Sequence, residues 1–317
     1  MEAKIKEIIN KYKNIDWAKF NRFSDTVKDY VAYSKVVEKH RIELGFSDID
    51  KALFGIRPGE VVYIVSPTSV GKTAIGMNIA THNSLNANGL ILYFSLENTK
   101  YQLYERQLQL IEGKSTWQVE GEHTRANEDY IEEKEKALQK YDNIINVIYR
   151  IKLFELIPYI KACEELFKKE ISLVIIDYAQ LIVHSGSRYE KISDIAESIK
   201  EVSLHLELPI VVLSQVGRGK ELEKDGLNIY SAKGSGEIEN SAQIYLTLEQ
   251  IKEAKTGEID NSVIKDFEDK KIDLLKLKVH KKKRGEFAES VVIMNRTSLK
   301  MLEYHKKPLV EFEQEPV

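Results

Sequence analysis

The chain has 317 residues, 43% of them hydrophobic and 31% charged, with 47 Lys and Arg against 50 Asp and Glu, a net charge of -3. That is enough apolar material for one or two folded domains of roughly 150 residues each. The charge balance excludes both a histone-like basic protein and an acidic disordered tail. A single cysteine, Cys163, excludes an intrachain disulfide framework and a cysteine-clustered zinc site. No apolar run reaches the ~18 residues of a membrane span. The first residues carry charges where a secretory signal would be apolar. The expectation is a cytoplasmic protein without a membrane partner.

Residues 1–40 read as two short amphipathic helices. Ile5, Ile8, Ile9 and Tyr12 form one stripe, and Phe20, Phe23, Val27, Tyr30 and Val31 form a second, with Asp16 as N-cap between them. Two such helices cannot bury both stripes alone, so they pack on the main domain or on another copy of the chain. From about residue 44, strands alternate with helices. Strands are expected over 60–65, 90–95, 144–149, 173–177, 210–214, 242–248, 274–280 and 288–295, with helices over 72–87 and 156–170 among them. The first five strands contain continuous apolar runs, as in strands covered on both faces. The pattern predicts an α/β fold with a mainly parallel sheet, closed at its C-terminal end by an antiparallel hairpin. Residues 113–140 read as a polar, helix-prone, solvated excursion. The expected domains are an arm at 1–43, a main domain at 44–304 and a frayed tail at 305–317.

The segment Val61-Val-Tyr-Ile-Val-Ser66-Pro-Thr-Ser-Val-Gly71-Lys72-Thr73 runs from an apolar strand through a tight loop into a helix. This is the layout of a phosphate-binding P-loop. Backbone N–H groups of Ser66, Pro67, Thr68, Ser69, Val70 and Gly71 (Pro67 excepted, having none) can converge on phosphate oxygens, and the helix points its positive end at the same place. Lys72 adds a cation near the β- and γ-phosphates, and Thr73 offers a hydroxyl to Mg²⁺. Ser66 departs from the usual pattern, standing where a first glycine is expected. Downstream, Leu173-Val-Ile-Ile176 ends in Asp177, an acid placed to hold the Mg²⁺ shell at the carboxyl edge of the sheet. Glu97 ends the strand at 90–95 and can orient or deprotonate an attacking water. Gln215, at the tip of the strand at 210–214, can hydrogen-bond a γ-phosphate and register its loss.

These elements, Ser66–Thr73, Ser95-Leu-Glu97, Ile176-Asp-Tyr178-Ala-Gln180-Leu181 and Ser214-Gln-Val-Gly-Arg218, occur in one order over residues 42–304. In that order they resemble the RecA-like C-terminal motor domain of DnaB-type replicative helicases. The leads Leu44-Gly45-Phe46-Ser-Asp48-Ile-Asp50 and Gly55-Ile-Arg-Pro58-Gly59-Glu60 look like the same family. The resemblance implies a hexameric or other ring, ATP with Mg²⁺ hydrolysed between subunits, and single-stranded DNA in a central channel. It makes Glu97 the general base, Lys72 and Thr73 the phosphate and Mg²⁺ ligands, Asp177 the Mg²⁺ acid and Gln215 the sensor. The family's DNA loops map to 184–190 and 217–236, where Arg218, Lys220 and Lys233 supply cations and Gly234 and Gly236 free backbone N–H groups. Glu221, Glu223 and Asp225 partly cancel that charge.

Three departures accompany the resemblance. Only the helical arm is expected in place of the family's globular N-terminal domain. A loader or primase is a further partner class, but the family's usual contacts with them cannot be assumed. Second, Lys281-Lys-Lys-Arg284-Gly285 stands where the family places a Lys-x-Arg that enters the neighbour's ATP site. Lys281 and Lys283 align if the glycine is fixed, but Arg284 is the only guanidinium. Because a planar fork suits a γ-phosphate better than an ammonium, Arg284 is expected as the finger and Lys282 as its partner. Third, Ser241-Ala242-Gln243 replaces the family's Asp-Ala-Asp. The competing class is a recombinase-like or regulatory ATPase that binds DNA on the same fold and unwinds nothing.

Overall fold

The computed structural model describes residues 22–39, 41–183, 188–216, 227–228, 238, 240–254 and 259–305. The chain divides after His40 into two compact units. In the first, helix α1 (Thr26–Lys39) carries Val27, Tyr30 and Val31 of the expected second stripe, all exposed, while Phe23 lies in the turn before it and is exposed too. The first stripe, Phe20 and Asp16 lie outside the described residues.

The second unit is built on one sheet, nine-stranded among the described residues. Its strands are β1 (Val61–Ser66), β2 (Leu90–Ser95), β3 (Ile144–Val147), β4 (Ile171–Asp177), β5 (Ile210–Gln215), β6 (Ile244–Gln250), β7 (Ile272–Lys281), β8 (Glu289–Asn295) and β9 (Met301–Glu303). Their order is β3-β2-β4-β5-β1-β6-β7-β8-β9. The pairs from β3 to β6 are parallel and those from β6 to β9 antiparallel. The mainly parallel sheet and its antiparallel end are as expected. The three-residue strand β9 was not foreseen. It is too short to show an alternation.

β1 and β2 are buried along their whole length, because both faces are covered. Val62 and Ile64 face one cluster with α3 (Lys72–Asn86), and Val61, Tyr63 and Val65 face a second with α7 (Leu156–Phe167) and α8 (Arg188–Leu206). The period-two pleat sends alternate residues to opposite layers. Helix α2 (Ser47–Leu53) precedes β1. Asp50 carboxylate oxygens accept the N–H groups of Leu44, Gly45 and Phe46 at 2.6–2.9 Å, fixing the turn that leads into it.

After β2 come α4 (Lys100–Glu112), α5 (Thr116–Thr124) and α6 (Glu128–Leu138). The polar excursion is helical, as its composition suggested, and both α5 and α6 start at side-chain caps, Ser115 and Asn127. Lys114 and Lys134 pair with Glu112 and Glu122, joining the three helices through charges. Gln243, in place of the second family acid, is buried. Its amide accepts from Val61 N–H at 3.0 Å and donates to Gly59 C=O at 3.3 Å. An ionised carboxylate could only accept, so the substitution supplies a second bond at the entry to β1. Among the described residues the last α-helix, α9 (Asn261–Glu268), precedes β7. Residues 306–317 of the expected tail lie outside the described residues.

Candidate nucleotide site

β1 ends at Ser66, and the chain turns through Ser69 (φ 65°) and Gly71 (φ 103°) into α3. Ser66 keeps an ordinary strand conformation and has no positive φ, so a β-carbon is tolerated where the pattern has glycine. Gly71 has no such latitude. A β-carbon there would lie 2.9 Å from Met294 Sδ and 3.0 Å from Met301 Cε, in a left-handed backbone. No side chain caps α3, so its first N–H groups remain available to an anion.

Four strand ends converge on this helix start. Lys72 Nζ lies 3.5 Å from the centroid of the Tyr178 ring. Burial pulls the Lys72 pKa down, and the charges of Asp177 and Glu97 pull it up. Asp177, at the end of β4, is fully buried, and its Oδ2 accepts from Tyr93 O–H at 3.1 Å. Burial pushes its carboxyl above the ordinary range, while Thr73, Lys72 and Tyr93 draw it back. Among the described residues nothing donates to Asp177 Oδ1. A buried carboxylate oxygen without a donor, beside the hydroxyl of the buried Thr73, is a hard-oxygen set that suits Mg²⁺. The residues present therefore fit the ion.

Glu97 follows β2 and is exposed on the wall of a cleft of about 820 Å³ that also contains Lys72, Thr73, Tyr178 and Gln215. Gln215 Nε2 donates to Thr68 Oγ1 at 2.7 Å, a direct link from the β5 tip to the phosphate loop. Gln180 brackets this link, donating from Nε2 to Ser214 Oγ at 2.8 Å and accepting from Gln215 N–H at 3.4 Å. The structure thus brings together Ser66 to Thr73, Glu97, Asp177 and Gln215.

Further wall residues were missed in the sequence. Gln102, Glu105, Arg106 and Gln109 face the cleft from α4, Thr116 from α5, Met294 from β8, and Arg296 and Leu299 from the β8–β9 turn. The signal for the α4 set was present: positions 102, 105, 106 and 109 share one helical face just after Glu97. Gln109 Nε2 donates to Thr297 C=O at 3.0 Å, closing that wall against the β8–β9 turn. The 113–140 excursion therefore contributes to the cleft as well as facing solvent.

The expected finger, Arg284, is engaged by acceptors of its own chain. Its Nε and one terminal nitrogen form a fork with Glu60 at 3.0 and 2.8 Å, and its two terminal nitrogens donate to the Leu53 and Gly55 carbonyls. Lys282, its expected partner, turns back onto the Gly285 carbonyl and lies 4.6 Å from the Phe287 ring centroid. Lys283 is exposed and has no partner among the described residues. β7 runs antiparallel to β6 and ends where Lys281 pairs with Tyr245, near the start of β6. The hairpin turn therefore sits at the edge opposite the phosphate loop, about 20 Å away along the six residues of β1. The expected DNA residues Arg218, Lys220, Lys233, Gly234 and Gly236 lie outside the described residues.

Residues 41–302 match the DnaB-like helicase C terminal domain. The chain belongs to this family. Replicative DNA helicase DnaB of Geobacillus stearothermophilus is 30% identical over 216 residues, covering 64% of this chain and 46% of that protein. DnaB of Helicobacter pylori is 30% identical over 300 residues, covering 87% of this chain and 60% of that protein. The chain spans about half the length of the curated relatives it matches. A solved DnaB-like replicative helicase, described with its interactions with primase, superposes with a TM-score of 0.70 at 18% identity, over 90% of this chain and 67% of that one. A KaiC-like protein from Pyrococcus horikoshii gives 0.55 at 12% identity, over 84% of this chain and 99% of that one. The DnaB-like domain here is thus a RecA-like fold, and no described helix is long and apolar enough to cross a membrane.

Proposed function

We propose that this DnaB-like domain is an ATP-driven helicase or translocase on single-stranded DNA, working as a ring of copies with ATP hydrolysed between them. The observation that carries this reading is the division of charge between the two sheet edges. One edge holds an uncapped helix start with Lys72 and Asp177, and the other holds a cation, Lys283, too far away to serve the same cleft.

In this reading Lys72 and the α3 amides hold the triphosphate. Glu97, on the open wall, orients and deprotonates the attacking water. Gln215 reads the γ-phosphate and passes its loss through Thr68 and Gln180 to β5 and the loop beyond. Thr73 and Asp177 would hold Mg²⁺, which when bound supplies charge neutralisation at the β- and γ-phosphates. Lys283 of a second copy, in the place first given to Arg284, meets the charge that develops on the leaving phosphates. Arg218, Lys220 and Lys233 track DNA phosphates without reading bases.

The test is separation of a forked duplex under ATP–Mg²⁺, with Lys72→Ala as control. Strand separation by the wild type and none by the variant is expected. DNA-stimulated hydrolysis with no separation at any protein concentration would overturn the motor and leave a DNA-bound regulatory ATPase.

A further inference from the structure

The turn at 282–285 is docked on its own subunit with more contacts than a short hairpin needs. α2 ends at Phe54 (φ 56°), which leaves carbonyls at the negative end of the helix without intrahelical partners. Arg284 occupies that end, donating to the Leu53 and Gly55 carbonyls. The same guanidinium makes a two-pronged pair with Glu60, whose Oε2 also accepts Arg57 N–H at 2.9 Å. Side chains of the pair are only 20% and 13% exposed. Next to it, Glu286 N–H donates to Ala52 C=O at 2.8 Å, and Gly285 passes so close to that carbonyl that a β-carbon would collide with it. Lys282 is folded back on the turn. Lys283 stands between these two anchored neighbours and is exposed.

We propose that Arg284 is a positioning residue: its fork onto Glu60 and the α2 carbonyls fixes the 282–285 turn so that Lys283 reaches the nucleotide bound by a second copy of the chain. The inference rests on the reading of Lys283 given above. An ammonium on a four-carbon stem has many rotamers and no planar fork to orient it. Its contribution to a reaction depends on a rigid base, since small displacements of a charged group from its target cost much of its effect. The guanidinium supplies that base. It converts a flexible turn into an extension of α2 and of the entry to β1.

ATP turnover by mixed assemblies tests this. Arg284→Ala alone is expected to lower kcat by about tenfold or more while KM for ATP changes by less than about threefold, because the variant keeps its own cleft intact. Glu97→Gln subunits, inactive by themselves, carry an intact turn. Mixing the two variants is expected to restore turnover, since each Glu97→Gln copy offers its Lys283 to an Arg284→Ala neighbour. Arg284→Lys keeps the charge and loses the fork; it is expected to fall between wild type and alanine and to be rescued in the same way, and it carries the test if the alanine variant does not fold. Wild-type kcat in both variants, or no recovery on mixing, overturns the proposal. Lys283→Ala run in parallel separates the two levels. If it too keeps full turnover, the trans role of Lys283 has failed. If Lys283→Ala is impaired and rescued by mixing while Arg284→Ala and Arg284→Lys stay at wild type, only the positioning role has failed.

Discussion

The phosphate loop and the docked turn at 282–285 treat their polar groups in opposite ways. At the carboxyl edge, valences are left open: the α3 amides lack a side-chain cap, Asp177 Oδ1 has no donor among the described residues, and Lys72 rests on a ring face rather than in an ion pair. At the opposite edge, Arg284 makes four hydrogen bonds and Glu60 accepts three. Buried polar groups without partners cost about 1–3 kcal/mol each, so the open valences around the phosphate loop suit a ligand that completes them. Saturated valences mark a part whose task is to stay in place. The contrast assigns ligand binding to one end of β1 and the anchoring of the 282–285 turn to the other.

The largest effects should come from the open edge. Glu97→Gln keeps the cleft's shape and removes only the basic carboxylate. Turnover is expected to fall by roughly 10²- to 10⁴-fold, with fluorescent-ADP affinity kept within a few-fold. Steady-state hydrolysis and a binding titration check it, and near-wild-type turnover would remove Glu97 from the chemistry. Asp177→Asn is expected to cost a comparable factor through the metal. The loss should appear as a raised Mg²⁺ requirement, read from hydrolysis against Mg²⁺ concentration. Because burial already raises the Asp177 carboxyl, replacing it by a neutral amide should leave the melting temperature without metal unchanged or higher. A lower one would show that the carboxylate is structural.

How much of this was legible in the sequence depended on how local the chemistry was. The phosphate loop is one contiguous run, and its strand and helix come from residues on either side of it. Glu97, Asp177 and Gln215 were found by their order at the ends of apolar strands, which parallel topology carries to one edge. The partners of Arg284 were not legible because its acceptors stand 224 to 231 positions away. A guanidinium's charge is visible in a sequence, but what has already satisfied it is not. Gln180 stood beside Asp177 in a recognisable motif, and its bridge to Ser214 and Gln215 needed two neighbouring parallel strands to be in register. The α4 wall followed from helical spacing that was there to be read.

The saturated edge is sharpened by a stability measurement. Gly285 has φ 79° and runs against the Ala52 carbonyl. Gly285→Ala combines a left-handed backbone with a backbone collision, and about 2–4 kcal/mol of destabilisation is expected. Chemical denaturation reads this directly. Gly113 also has a positive φ (70°) but open space around it. Gly113→Ala should cost only about 1 kcal/mol. Equal losses at the two glycines would mean that the turn is not docked as described.

The smallest effect comes from His280, near the end of β7. Its Nε2 lies 2.9 Å from Thr247 Oγ1, and its ring packs edge-on to Tyr245. Burial first, then Lys278 and Lys276 on its own strand, lower its pKa to about 4, with Glu289 of β8 opposing them. The folded state therefore binds fewer protons than the unfolded chain, whose imidazole titrates near 6.5. The stability this contributes is complete above about pH 6.5 and is lost as pH falls toward about 4. With the ring only partly buried and the lysines screened, the contribution is about 1 kcal/mol or less. His280→Gln should flatten that part of the stability–pH curve between about pH 6.5 and 4 and leave the carboxylate-driven part below it. If the variant and wild-type curves remain parallel throughout that window, His280 is not held neutral by the fold. The second edge would then contain a charge that its own lysines should have expelled.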